Sequence, residues 1–422
     1  MSVETISVIG LGYIGLPTAA MFAKNKKHVI GVDVNQSVVE TVNSGRIHIV
    51  EPELGVIVKN AVSEGYLRAV TKPEPADAFL VAVPTPFLPT NTDGVPKPDL
   101  KFIQSAAQAI AKVLKKGDLV ILESTSPVGA TEKMAQWLSE ARTDLTFPQS
   151  HGDSADIRVA YCPERVLPGH VVRELVVNDR VIGGMTKSCS NAAVQVYKVF
   201  VEGECTITNA RTAEMTKLTE NAARDVSIAF ANELSIICDK LEINVWELIA
   251  LANRHPRVDI LQPGPGVGGH CIAVDPWFIA ASCPDESRLI RTARQVNDEK
   301  PVWVGQKVGV EIARFLSENP EKTISDIVIA CYGLSFKPNI DDLRESPALS
   351  VAKRIIERHK AKIILVEPNI TELPDILSGG TLVDFEIALS EADIHILLVD
   401  HREFKGNGPR SGYVIDTRGI WV

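Results

Sequence analysis

Residues 10–15 read Gly-Leu-Gly-Tyr-Ile-Gly directly after the β-branched run 6–9, and no other stretch restricts the fold as strongly. Glycines at Gly10, Gly12 and Gly15 permit a tight turn from a strand into a helix and let a pyrophosphate approach the backbone at the helix N-terminus. Tyr13 and Ile14 complete the loop. Asp33 closes the next β-branched run, about twenty residues on, where a carboxylate accepts hydrogen bonds from both ribose hydroxyls of a dinucleotide. It repels a 2′-phosphate, so the expected cofactor is NAD rather than NADP. A glycine turn that binds nothing is the bland alternative, and Asp33 weighs against it.

The same β-branched pattern recurs at residues 79–83, 119–122, 159–162 and 180–183, separated by helix-compatible stretches. Such alternation predicts a doubly wound parallel sheet. Residues 209–241 contain neither Gly nor Pro, and Met215, Leu218, Ala222, Val226, Ala229 and Leu234 recur near helical spacing, which predicts one long helix. Its apolar face needs a cover, so a shared spine or subunit contact is expected. Strand and helix alternation resumes at 327–331, 362–366, 394–400 and 413–416, implying a second, smaller parallel sheet. The expected architecture is α/β, two Rossmann-like domains joined by a central helix, with divisions 1–205, 206–300 and 301–422. A chain of 422 residues is long enough for several cores.

Composition excludes several function classes. A net charge of −9 argues against a nucleic-acid surface while leaving room for a local anion pocket. Seven scattered cysteines without a C-x-x-C pair read as reduced thiols. No apolar run approaches the ~18 residues of a membrane helix, and the glycines interrupting residues 8–22 argue against an export signal. A cytoplasmic setting is the expectation.

Residues 264–275, Gly-Pro-Gly-Val-Gly-Gly-His-Cys-Ile-Ala-Val-Asp, place Cys271 beside glycines able to bring backbone N–H groups to a ligand. A cysteine alone is most often a small core hydrophobe. The polar, glycine-rich approach favours a nucleophile here. His270 reads as structural, since no second ligand stands at metal spacing; no metal is expected. On the long helix Lys217 and Asn221 are four residues apart and share a face with Arg224 further along; a solvated stripe is the ordinary reading. Thr85 and Thr125 follow strands at the carboxyl edge, where such sheets bind ligands.

These motifs together resemble the nucleotide-sugar 6-dehydrogenases, the UDP-glucose/GDP-mannose dehydrogenase family, over nearly the whole chain. The resemblance rests on residues 10–15 with Asp33, Ser124-Thr125-Ser-Pro-Val-Gly129, Cys162-Pro-Glu164-Arg165, Glu214 with Lys217, Glu220 and Asn221, Gly268 to Asp275, Gly333-Leu-Ser-Phe336-Lys337, and Asp341 to Pro347. Residues 253–258 and 275–278 are most similar to the branch acting on UDP-N-acetyl-D-mannosamine, which serves enterobacterial common antigen and related bacterial surface polysaccharides.

The resemblance implies NAD-dependent oxidation of a sugar C6 alcohol to a carboxylate through a thiohemiacetal and thioester on Cys271. It gives Lys217, Asn221, Asp275, Glu164 and Thr125 catalytic roles, with Glu164 as base or water-positioner. Arg344 is carried over toward the cofactor, and Arg165, Val166, Arg224, His255, Arg257, Gly268, Phe336 and Lys337 toward a UDP-sugar. His255 and Arg257 would reach across a subunit boundary of a homodimer or higher homo-oligomer. Phe336 as plain core packing is the competing reading. The same reaction on UDP-N-acetylglucosamine, UDP-glucose or GDP-mannose is the nearest alternative. From another class stands a non-catalytic NAD-sensing assembly module with an inert Cys271.

Overall fold

The computed structural model describes residues 3–49, 51–88, 95–167, 169–269 and 271–421. Residues 89–94 and His270, the latter read from sequence as structural, lie outside the described residues. The chain divides into two compact units, Met1–Glu220 and Asn221–Val422, the boundary falling within the helix Ala210–Lys240. That helix runs nearly over the expected 209–241, because nothing in it breaks the i to i−4 ladder.

Strands of the first unit are β1 (Thr5–Ile9), β2 (His28–Val32), β3 (Leu67–Val70), β4 (Ala78–Val81), β5 (Leu119–Leu122), β6 (Arg158–Tyr161), β7 (Arg180–Gly184) and β8 (Cys205–Asn209). Among the described residues they form one sheet in the order β3-β2-β1-β4-β5-β6-β7-β8. Pairing is parallel from β3 to β6; β6 and β7 run antiparallel, and β7 and β8 parallel. The reversal sits where β7 returns after the helix Val171–Val177, and the sequence carries no signal for strand direction. β4 and β5 are apolar at every position and buried on both faces, as strands covered by helices on two sides require. Order reverses between β1 and β4, so the crevice at their carboxyl ends is the topological switch point.

The second unit holds β9 (Val328–Tyr332), β10 (Lys362–Val366), β11 (Thr381–Leu382), β12 (Ile394–Leu397) and β13 (Tyr413–Asp416) in the order β11-β10-β9-β12-β13, all parallel. A second long helix, Arg288–Glu318, precedes this sheet and contains Pro301. Its apolar positions Val304, Val308, Ile312 and Phe315 recur at spacings of three and four and are buried in the core of this unit. Among the described residues no helix is long and apolar enough to cross a membrane.

Candidate active site

In the first unit the three glycines after β1 differ in what surrounds them. Gly10 has φ +91°, and a Cβ there would lie 2.5 Å from the Ala82 carbonyl oxygen. A Cβ at Gly15 would lie 1.7 Å from the Gly10 carbonyl oxygen, so the helix Gly15–Lys24 is seated directly on the turn. Around Gly12, by contrast, nothing lies within 4 Å of a Cβ, which is the open approach a pyrophosphate needs. The helix begins without a side-chain cap or an acidic residue in its first turn, leaving its dipole for an anion. Asp33 accepts from the Leu11 N–H at 3.0 Å and the Asn35 N–H at 2.9 Å, tying the glycine turn to the end of β2. These residues fit NAD. Replacing Asp33 by Asn is expected to weaken NAD binding about tenfold or more, the worth of a charge-assisted hydrogen bond, and to raise the relative use of NADP. Comparing KM for the two cofactors checks this.

Further along the same sheet edge the Thr85 hydroxyl donates to the Thr125 carbonyl at 2.6 Å, and Ser124 Oγ to the Val83 carbonyl at 2.7 Å. Thr85 thereby joins the loops after β4 and β5, a turn role that sequence left open. Buried Glu214 accepts from the N–H groups of Gly129 and Thr131 at 2.6 and 2.8 Å and from the Thr131 hydroxyl at 2.6 Å, fastening the loop that carries Thr125 to the long helix.

Glu164 is buried beyond β6, and among the described residues its Oε1 has no hydrogen-bond partner. Burial pushes its carboxyl up to about 8, against the pull of Lys217 and Arg180, while Glu123 adds to the rise. Lys217 is itself buried, not part of a solvated stripe. Arg165 instead pairs with Glu220 at 2.7 Å, and its carbonyl accepts from Asn178 at 2.9 Å. The Val166 side chain packs against the core beneath the sheet.

Sequence reasoning missed a buried polar group behind Glu164. Arg180 lies 3.6 Å from Glu123 and 3.8 Å from Cys162 Sγ, with its guanidinium 4.5 Å from the Tyr197 ring centre. Tyr197 donates to Glu123 at 3.1 Å. Burial pushes the Cys162 thiol up to about 11, which keeps it protonated and inert. The one available signal was Arg180 at the start of an otherwise apolar strand.

In the second unit Cys271 is exposed on the turn that enters the helix Asp275–Ser282, its carbonyl accepting from the N–H groups of Val274 and Asp275 at 3.1 and 2.9 Å. Asn221 donates to the buried Asp275 carboxylate. A Cβ at Gly268 would lie 2.5 Å from the Glu345 carbonyl oxygen, and one at Gly269, where φ is +82°, 3.1 Å from the Phe336 ring. Half-buried Phe336 therefore backs the cysteine loop. The loop is anchored at its start by Asn232, which accepts from Gly264 N–H at 2.9 Å and donates to Asn297 at 2.9 Å; Asn297 donates to Asp225 at 2.7 Å, and Arg294 pairs with Asp225 at 2.5 Å. Sequence gives this network away poorly, because polar residues on a helix usually face water.

Gly333 repeats Gly10: φ is +88°, and its N–H donates to the Val366 carbonyl at 2.8 Å as Gly10 N–H does to Val32 at 2.8 Å. Glu367 at the end of β10 stands where Asp33 stands in the first unit, accepting from Leu334 and Ser335 N–H groups at 2.7 and 3.1 Å. Buried His401 accepts from Asn339 N–H at 2.9 Å and lies 3.1 Å from Glu367, so the loop bearing Phe336 and Lys337 is held at both ends. Half-exposed Lys337 offers an ammonium from it. Arg344 pairs with Asp342 at 2.6 Å. Arg224, His255 and Arg257 are exposed, the last two on a loop closed by Asn253, which exchanges hydrogen bonds with Ile260 at 2.9 and 2.8 Å.

Comparison with known proteins extends over the whole chain. Residues 4–201, 211–299 and 330–422 match the NAD binding, central and UDP binding domains of the UDP-glucose/GDP-mannose dehydrogenase family. A UDP-N-acetyl-D-mannosamine dehydrogenase of Yersinia pestis is 64% identical over 425 residues, covering 100% of both chains. An NDP-N-acetyl-D-galactosaminuronic acid dehydrogenase of Ralstonia nicotianae is 61% identical, covering 99% of this chain and 96% of its own. The solved UDP-D-ManNAc dehydrogenase of Pyrococcus horikoshii superposes with a TM-score of 0.85 at 38% identity, over 99% of this chain and 96% of that one.

Proposed function

The chain belongs to the UDP-glucose/GDP-mannose dehydrogenase family, and from that premise we propose that it oxidises the C6 alcohol of UDP-N-acetyl-D-mannosamine to the carboxylate. The observation that carries the chemistry is Cys271, exposed on a glycine turn next to Asp275 and its partner Asn221; Cys162, Cys189, Cys238 and Cys331 are buried, Cys205 is half-buried, and Cys283, also exposed, follows the C-terminus of the helix Asp275–Ser282 rather than a glycine turn. The chain's NAD-binding domain holds its cofactor through the turn at Gly10 to Gly15 and Asp33, and NAD, when bound, accepts the hydrides the sugar carbon gives up.

The residues then divide the remaining work. Thr125, Lys217 or Asp275 relays the proton of the C6 hydroxyl as the aldehyde forms. Cys271 Sγ bonds to the aldehyde carbon, whose C=O becomes the oxygen of a thiohemiacetal, and Lys217 and Asn221 donate to that oxygen. An aldehyde needs such an added heteroatom before its carbon can surrender a second hydride, and that loss restores C=O as a thioester. Glu164 takes a proton from water as the water oxygen bonds to the thioester carbon; the C–S bond breaks, and acid and thiol are released. Lys337, Phe336, Arg165, Val166, Arg224 and Gly268 are assigned to the UDP-sugar and Arg344 to the cofactor side. A cytoplasmic setting and a role in bacterial surface polysaccharide synthesis, of the enterobacterial common antigen type, complete the proposal.

Similarity to the Ralstonia protein favours a second reading, the same oxidation on another N-acetylated nucleotide sugar. Turnover of a panel of nucleotide sugars, followed at two reduced cofactors per sugar, distinguishes them; equal or faster turnover of UDP-N-acetylgalactosamine or UDP-glucose overturns the first assignment, and one reduced cofactor per sugar overturns the two-step oxidation.

We also assign a homo-oligomer to the long helix. Phe230, Ile237 and Leu241 stand at spacings of seven and four and are 53%, 43% and 60% exposed, a stripe of apolar side chains facing water. His255 and Arg257 then serve a neighbouring subunit's substrate. Phe230→Asp is expected to shift the mass in sedimentation toward the monomer, and an unchanged mass removes this face as the contact.

A further inference from the structure

A cavity of about 360 Å3 opens in the second unit between the helices Ala210–Lys240 and Arg288–Glu318 and the end of β13. Its lining residues are separate from the dinucleotide turn, the cysteine loop and the exposed apolar stripe of the long helix. Trp246 and Trp303 give it aromatic walls, and the exposed side chains of Ile243 and Val414 bring it to the surface. It lies within the size range of small-molecule sites and has their mixture of apolar wall and few polar groups.

The charges facing it are unevenly matched. Asp239 on the first helix pairs with Lys307 at 2.8 Å, and Glu311 on the second lies 3.8 Å from Arg314. Asp416 on β13 accepts from the N–H groups of Arg418, Gly419 and Trp421, each at 2.7 Å. Lys300 differs. It is 2% exposed, and among the described residues no carboxylate oxygen lies within 4.0 Å of its ammonium. It donates to Ser235 Oγ, whose own proton is committed to the Asn232 carbonyl at 2.7 Å, and it sits 4.0 Å from the Trp303 ring centre. An ammonium carries three donors, so one hydroxyl and one ring face leave it capacity for an anion. Burial without a carboxylate pushes Lys300 down to about 7, with Asp239 opposing.

We propose that this cavity binds a small organic monoanion, a carboxylate on a flat apolar body, with the carboxylate on Lys300 and the body against the tryptophan walls. A single charge follows from the surroundings: one cation lacks a carboxylate partner, and a dianion would meet Asp239, Glu311 and Asp416. An aromatic body follows from the walls, which offer area but few donors. Binding favours the charged amine, so Lys300 takes up a proton as the ligand enters near neutral pH. Its protonated fraction falls from roughly 0.9 to roughly 0.1 between pH 6 and pH 8, and affinity falls about tenfold with it.

Benzoate and its neutral isostere benzamide are the probes, titrated calorimetrically into the full-length protein with saturating NAD present. At pH 6 benzoate is expected to bind about tenfold more tightly than benzamide, and at pH 8 the preference is expected to vanish. Lys300→Met abolishes it at both pH values while leaving NAD-dependent turnover intact. Lys300→Arg, which keeps its charge at pH 8, retains the preference there and guards against a merely misfolded Met variant. Equal binding of the two probes by the wild-type protein at pH 6, or a preference that survives Lys300→Met or keeps its pH dependence in Lys300→Arg, overturns the proposal.

Discussion

Cys271→Ser is expected to bind NAD as the unaltered protein does and to lose net acid formation by about 10³-fold or more, the scale of removing a covalent nucleophile. A thiol is partly ionised near neutral pH and strongly nucleophilic when ionised; a serine hydroxyl needs a dedicated base to match it. Sulfur also leaves readily when water attacks the acyl carbon. NAD binding survives because Gly10, Gly12, Gly15 and Asp33 belong to the first unit and Cys271 to the second. Acid yield per nucleotide sugar is the readout, with NAD affinity measured alongside. An acid yield near that of the unaltered protein removes the thioester mechanism, and a Cys271 thiol indifferent to nucleotide sugar in protection experiments favours a sensing module over an enzyme.

Glu164→Gln is expected to slow acid release about 10²- to 10⁴-fold, the usual contribution of a general base, and to let a covalent adduct accumulate on Cys271, visible in the intact mass. Gln keeps the shape and removes the basic oxygen. Because burial lifts Glu164 to about 8, the basic form is the minority at pH 7, and turnover of the unaltered protein rises with pH through about 8. The Gln variant lacks that rise. Stability changes in the opposite sense: the folded protein holds the proton that an ordinary glutamic acid releases near 4.5, so this group's stabilisation is full below about 4.5 and is lost as pH rises through about 8. Denaturant unfolding of the two proteins at pH 5 and pH 8.5 measures the difference. A Gln variant that releases acid at the unaltered rate removes Glu164 as the base.

Glu164 and Lys217 mark where reading the chain alone ran short. Both stand in motifs that the family resemblance singled out, yet nothing in the spacing on the helix told a buried Lys217 from a solvated one. Burial is a property of what covers a face, and the covering elements come from distant parts of the chain. The same holds for Thr85, whose hydroxyl turned out to hold the Thr125 carbonyl, and for Phe336, whose ring backs the Gly268 and Gly269 turn.

Local chemistry made other features legible. Gly10, Gly12, Gly15 and Asp33 declare a dinucleotide turn because backbone conformation and a carboxylate at the end of β2 are set within some twenty residues. The long helix was visible because helical periodicity is written into consecutive residues. The antiparallel pairing of β6 with β7, the Arg180 group behind Glu164, the Glu367 counterpart of Asp33 and the solitary charge of Lys300 were decided only by tertiary structure. The first is a choice of strand direction made by the long-range pairing itself; the others depend on which distant segments exclude water from a polar group, and hydration is determined by the assembled neighbourhood rather than by the order of residues along the chain.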